Sequence, residues 1–152
     1  MAEADQQMRR AAQNGKQPFD KSLDENNSLR LKQILESLGS WPTISLEGEE
    51  ASYAAWLIAQ HADHDVNFQE ECLNLMLNVK NEVLHSNIAY LTDRVAVNKG
   101  LPQTFGTQFY QERQGRPVPR PINKIKELEK RRQQMGLEPF SVYEQKMRGE
   151  YK

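Results

Sequence analysis

Ala54-Ala55-Trp56-Leu57-Ile58-Ala59-Gln60-His61-Ala62-Asp63-His64-Asp65-Val66-Asn67-Phe68 is the stretch that decides how this chain is read. Around it, Ala54, Ile58, His61, Asp65, Phe68, Cys72, Leu75 and Val79 follow one another at alternating spacings of four and three. That is the stripe of a helix facing a core. His61 and Asp65 sit in the middle of the stripe, one turn apart, where two side chains can meet. Charge on a buried face is costly unless it is paired or hydrogen-bonded. Gln60, Asp63, His64 and Gln69 lie within a turn or two, more polar groups than an ordinary core stripe gathers. No Gly or Pro occurs from Glu49 to Lys99. One helix can therefore run from near Glu49 to about Glu82, or it can bend near Asp63–Asp65, where an Asp can cap a new helix.

Outward from this segment the pattern remains helical. Leu31, Ile34, Leu35 and Leu38 give an apolar face to a helix over about Ser28–Leu38, and Gly39 stands at its C′ position. Trp41-Pro42 stops it. Leu84, Ile88, Leu91 and Val95 mark a helix that starts near Ser86 or Asn87 and ends before Gly100 and Pro102. Phe105, Thr107 and Phe109 then alternate with Gly106, Gln108 and Tyr110, and Gln114-Gly115 supplies a turn. Pro117, Pro119 and Pro121 exclude a helix and a central strand, so a short hairpin or extended arm is expected. A basic helix follows over Asn123–Met135, with Ile125, Leu128 and Met135 buried and Arg132 between them on the stripe. Gly136-Leu137 has the form of a Schellman stop. Ser141-Val142-Tyr143-Glu144 has the spacing of a capping box that opens a last short helix. Residues 1–25 read as a flexible arm with a frayed helix near Gln6–Gln13, and residues 26–152 as a single helical domain. The fold class is mostly α with a short β-hairpin or extended arm.

Composition bounds the function. At 152 residues, with 38% apolar residues and a mean hydropathy of −0.81, the core must be economical and the surface well solvated. One cysteine, Cys72, excludes an intramolecular disulfide. No apolar run approaches the roughly 20 residues a spanning helix needs, and the polar, Gln-rich start lacks a signal-peptide core. The expected location is cytoplasmic, without membrane association. The net charge of −1 conceals a division: residues 1–100 carry 9 Lys/Arg against 15 Asp/Glu, and residues 101–152 carry 11 against 6. The two parts can attract each other within one fold, or the basic part can face a polyanion.

For chemistry, His61 and Asp65 come first. Asp65 would hold the imidazole in one tautomer so that His61 acts as general acid or base, with Asp63 as a further carboxylate; the competing reading is a satisfied structural pair. Gln60, Gln69, Asp93, Arg94, Thr107, Gln108 and Arg132 are the candidate substrate-binding residues. Arg94 could fork onto a ligand carboxylate or phosphate or bridge to Asp63 or Asp65, and Thr107 and Gln108, beside Gly106, could orient a substrate. His61, His64 and Asp65 have a spacing that admits a divalent metal, but His-x-x-His alone falls short of a zinc motif, and no other cofactor is indicated. Cys72, on the apolar stripe, reads as an inert small hydrophobe. No phosphate-cradling glycine loop or nucleophile elbow occurs.

Several landmarks recur together: Asn27-Ser28-Leu29-Arg30-Leu31-Lys32, Trp41-Pro42-Thr43, Trp56 through Gln60-His61-Ala62-Asp63, Ala89-Tyr90-Leu91-Thr92-Asp93-Arg94, Gly106-Thr107-Gln108, and Arg132 through Gly136-Leu137 to Tyr143. In these the chain resembles a bacterial protein family of unknown function over about residues 24–145. It departs at Ser40, where the family pattern places Gly directly before Trp. The resemblance implies a mostly helical domain with polar positions centred on His61, Asp63, Asp93, Arg94, Thr107 and Gln108, and it implies no activity.

The leading expectation is a small enzyme using His61 in acid–base chemistry (hydrolysis, transfer or elimination) on a small polar, anionic substrate neutralised by Arg94 and Arg132. The alternative is a non-catalytic, immunity-type or regulatory protein-binding module acting through Glu47, Glu49, Glu50, Glu70 and Glu71. A third is nucleic-acid binding through Arg113, Arg116, Arg120, Lys124, Arg131 and Arg132. The near-zero overall charge argues against that third reading.

Overall fold

The computed structural model describes residues 1–15 and 20–149. Among them are eight α-helices and a two-stranded antiparallel hairpin, so the chain is mostly α. It divides into two compact units, Met1–Val83 and Leu84–Lys152. No helix among the described residues is long and apolar enough to cross a membrane.

In the first unit, α1 (Ala2–Gln13), α2 (Lys21–Leu38), the single turn α3 (Ile44–Glu47) and α5 (Val66–Asn78) all pack on α4 (Glu49–Gln60). The sequence of α4 explains its central place. Ala55 through Gln60 are buried in succession, so the second half of the helix is enclosed on every side and has no single inward stripe. The helix expected near Gln6–Gln13 is α1, which begins at Ala2 and has Asp5 completely buried. Of the arm expected over residues 1–25, positions 16–19 lie outside the described residues, as do positions 150–152 of the expected domain.

α2 starts about two turns earlier than its apolar pattern predicts, because Asp20 caps it by accepting from the Ser22 amide. Its end is as read: Gly39, at φ 69°, donates its N–H to the Leu35 carbonyl. Thr43 caps α3 from its hydroxyl, and Glu47 reaches back to the Thr43 amide at 2.7 Å. Trp41, between the two helices, is fully buried.

The choice left open at Asp63–Asp65 falls to the bend. α4 ends at Gln60, and Asp65 caps α5, accepting the Phe68 amide at 3.0 Å. Gln69 completes the corner. Buried in α5, its Nε2 donates to the carbonyls of Ala59 (3.1 Å) and Gln60 (3.3 Å), which the ended helix leaves without intrahelical partners.

The second unit opens with α6 (His85–Asn98), followed by β1 (Phe109–Gln111) and β2 (Pro117–Pro119). The strands pair Phe109 with Pro119, Tyr110 with Val118 and Gln111 with Pro117. Prolines at alternate positions of β2 suit a ribbon with no third strand. The expected basic helix is shorter than its pattern. A 3₁₀ turn over Ile125–Glu127 leads into α7 (Leu128–Gln134), and Ile125, expected to be buried, is 64% exposed. The Leu137 amide donates to the Arg132 carbonyl at 3.0 Å, which is the Schellman bond expected at Gly136-Leu137.

The expected Ser141–Glu144 capping box does not form. α8 (Phe140–Met147) begins two residues earlier, with Pro139 in place of Ser141 at the N-cap, Glu129 of α7 accepts the Phe140 amide, and Glu144 pairs instead with Arg148 one turn on.

Candidate active site

The residues singled out in the sequence fall into two groups, each organised inside its own unit around a buried carboxylate. In the first unit that carboxylate is Asp5, a residue the sequence reading left in the arm. His61, the C-cap of α4, places Nδ1 2.8 Å from Asp5 Oδ2. Arg9, one turn along α1 from Asp5, brings Nε to 3.1 Å from Asp5 Oδ1 and 3.0 Å from His61 Nδ1, and its Nη2 to 2.5 Å from Asp24 Oδ1 on α2. Burial pushes the Asp5 carboxyl up, but the hydrogen bonds and charges of His61 and Arg9 outweigh it and hold the group at about 2. Asp5 is therefore an ionised acceptor at neutral pH. The Arg9 Nε–H is in reach of both Asp5 Oδ1 and His61 Nδ1; in the tautomer with Nδ1 protonated, His61 donates to Asp5 Oδ2 and Arg9 to Asp5 Oδ1. No described residue takes the other ring nitrogen, Nε2.

The expected pairing of His61 with Asp65 is not formed. It required an unbroken helix, and the corner at Ala62–Asp65 separates the two side chains. Asp65 instead accepts from Lys32 Nζ at Oδ2 (2.7 Å) and from the Phe68 amide at Oδ1, and those two bonds lower its pKa. With both oxygens so occupied, His61, His64 and Asp65 do not assemble as a metal-ligand set. No group of three His, Cys, Asp or Glu among the described residues is placed to hold a metal ion.

Asp63 stands in the corner itself and accepts from Gln69 Nε2 at 3.1 Å. His61, Asp63 and His64 share one cleft of about 330 Å³ with Arg9 of α1 and Lys21, Asp24 and Glu25 of α2. Gln60 and Gln69 contribute carbonyl and amide to the corner behind them. Cys72 is completely buried, and burial pushes its thiol up to about 12, so it is no nucleophile.

In the second unit the carboxylate is Asp93 of α6, also fully buried. It accepts the amides of Thr104 (2.7 Å), Phe105 (2.9 Å) and Thr107 (2.9 Å), and the Thr107 hydroxyl at 2.9 Å. The carbonyls of the same loop are held from the other direction. Thr104 O accepts from Arg131, Phe105 O from Arg132 and Thr107 O from the Tyr143 hydroxyl. Gln103 bonds both the amide and the carbonyl of Gln108. Gln108 links Arg94 Nη1, at 3.0 Å from its Oε1, to the Thr107 hydroxyl.

Arg132 is buried with its guanidinium over the rings of Phe140 and Tyr143, and its other donor reaches the Glu138 carbonyl. Gly106 sits at φ 70°, and a Cβ there would lie 2.9 Å from Phe140 Cε2. The expected substrate-binding positions Asp93, Thr107 and Arg132 thus direct these hydrogen bonds into a loop whose backbone they fix.

Sequence reasoning missed Asp5, Arg9 and Asp24. The signal available in the chain is slight: an Asp–Arg pair at i, i+4 on a segment whose apolar face, Ala4, Met8 and Ala11, is mostly alanine.

With this geometry in hand, the comparisons add one fact. The chain belongs to the family of unknown function DUF6624, which matches residues 1–152. No curated protein and no solved structure matches it.

Proposed function

We propose that the first unit of this DUF6624 member carries a small acid–base site, with His61 as the proton carrier and Asp5 as the residue that orients it. The observation that supports this most is the 2.8 Å contact of His61 Nδ1 with a buried, ionised carboxylate at the edge of an open cleft. Asp5 fixes the tautomer, leaves the Nε2 lone pair for the cleft and stabilises the imidazolium that forms when Nε2 takes a proton. Arg9 positions Asp5 from its other oxygen. Asp63 and His64 line the cleft as further polar groups, and the substrate is a small polar molecule undergoing hydrolysis, transfer or elimination. A cytoplasmic setting suits a chain whose one thiol is buried and unpaired.

The test is a panel of ester, amide, phosphoester and β-elimination model substrates, assayed with the wild-type chain, His61→Gln and Asp5→Asn. Turnover that falls at least about a hundredfold in His61→Gln with the fold retained supports the reading. Turnover unchanged in a folded His61→Gln variant, or absent from every substrate class, sinks it.

A docking role keeps one specific observation. Leu46 is 83% exposed beside Glu47, Glu49 and Glu50, with Tyr53 exposed one turn further on. On that reading Leu46→Asp abolishes partner capture while His61→Gln leaves it intact.

A further inference from the structure

We infer that the ligand of the His61 cleft carries a positively charged nitrogen, an ammonium or guanidinium group, which pairs with Asp24 and Glu25. This rests on the acid–base reading of the same cleft and gives it a substrate class.

The first support is the charge inside the cluster. One guanidinium, Arg9, lies between two carboxylates, Asp5 and Asp24, beside an imidazole that is neutral whenever it serves as a base. Together these side chains carry one net negative charge. Among the other described lining residues, Glu25 adds a carboxylate and Lys21 an ammonium, so that charge stands. A cleft so lined attracts a cation and repels a carboxylate or phosphate. Of the two arginines behind the expected anionic substrate, Arg132 is committed to the Asp93 loop.

The second support is an atom. The Asp24 side chain is only 11% exposed, yet a single described donor, Arg9 Nη2, reaches it, and only at Oδ1. A carboxylate offers about four lone-pair sites. Burial raises the Asp24 pKa in spite of Arg9, and the neighbouring Asp5 adds to the rise. A cationic N–H at Oδ2 would supply the missing hydrogen bond and relieve the repulsion between the two carboxylates. Glu25, exposed on the next position of α2, is placed to accept a second N–H from the same group.

The three histidines report on the cleft: His61 and His64 line it, and His85 belongs to the second unit. The experiment titrates the full chain with 1,4-diaminobutane, succinate or 1,4-butanediol and follows the histidine ring ¹H–¹³C signals. Three matched chains thus carry positive, negative and no charge. The expected result is that the diamine shifts His61 and His64 and not His85, and that Asp24→Asn weakens it about tenfold. Glu25→Gln, an exposed change with no effect on folding, weakens it less and guards against a misfolded Asp24 variant.

If succinate alone moves His61 and His64, the cation class is overturned while the cleft stands. If the diamine also moves His85, or binds both variants as well as wild type, it is condensing on acidic surface and the inference fails. If none of the three shifts His61, the cleft reading falls together with the class.

Discussion

Asp5 and Asp93 are both completely buried carboxylates, and their partners differ in kind. Asp93 is satisfied by three backbone amides and a hydroxyl from one loop, groups that cannot change charge and that move only if the backbone moves. Asp5 is satisfied by an imidazole and a guanidinium from side chains beside an open cleft. The first arrangement fixes a conformation, and the second holds an imidazole in one orientation. Burial alone therefore says little about what a carboxylate does, whereas the chemistry of its hydrogen-bond donors says much.

The comparison is broken most forcefully at Asp93. Asp93→Ala strands several donors of a buried loop and is expected to cost about 3–5 kcal/mol in urea unfolding, with hydrogen exchange at Thr104, Phe105 and Thr107 sharply accelerated. A loss below about 1 kcal/mol would mean that the loop does not depend on this carboxylate. Gly106→Ala comes next, at about 2–3 kcal/mol, since it combines a positive φ with a Cβ driven into Phe140. Substituting Phe140→Ala in the same chain should recover the steric part only.

Asp5 predicts a pH effect with a definite sign. Its folded pKa, about 2, lies below the 3.8 of a free Asp, so its contribution is complete above the unfolded value and disappears as pH falls towards 2. The contribution is on the order of 2 kcal/mol. Asp5→Asn should lower stability by about that amount at pH 7 and flatten the decline between pH 4 and pH 2. An unaltered acid limb would remove Asp5 from the account. The smallest effect belongs to Asp65→Asn, which keeps an N-cap acceptor and loses only the half-exposed Lys32 pair, about 0.5 kcal/mol. It should leave the His61 ring signals unmoved, whereas a change in them would restore Asp65 to the role its spacing suggests.

These contrasts also explain what could be read from the sequence alone. Helix stops at Gly39, Gly100 and Gly136 and the hairpin turn at Gly115 were legible because each depends on a local conformation that glycine favours. The corner at Asp65 was legible only as one of two options, since a capping Asp and an Asp on a stripe look alike in the chain. The Ser141–Glu144 pattern misled because the helix already starts at Phe140, whose amide donates to Glu129, and because the Glu144 carboxylate accepts from Arg148 instead of reaching back. His61 stood out from its neighbours. Asp5 did not, since it lies 56 positions away and no periodic signal spans that interval.

The central claim is that Asp5 holds the proton on His61 Nδ1 and leaves Nε2 for chemistry. Long-range ¹H–¹⁵N correlation of the histidine rings, recorded at alkaline pH, measures this directly. The account predicts a protonated, pyrrole-like Nδ1 and a bare, pyridine-like Nε2 in the wild type, with that preference lost in Asp5→Asn. A wild-type His61 protonated on Nε2, or a tautomer indifferent to Asp5→Asn, would contradict it.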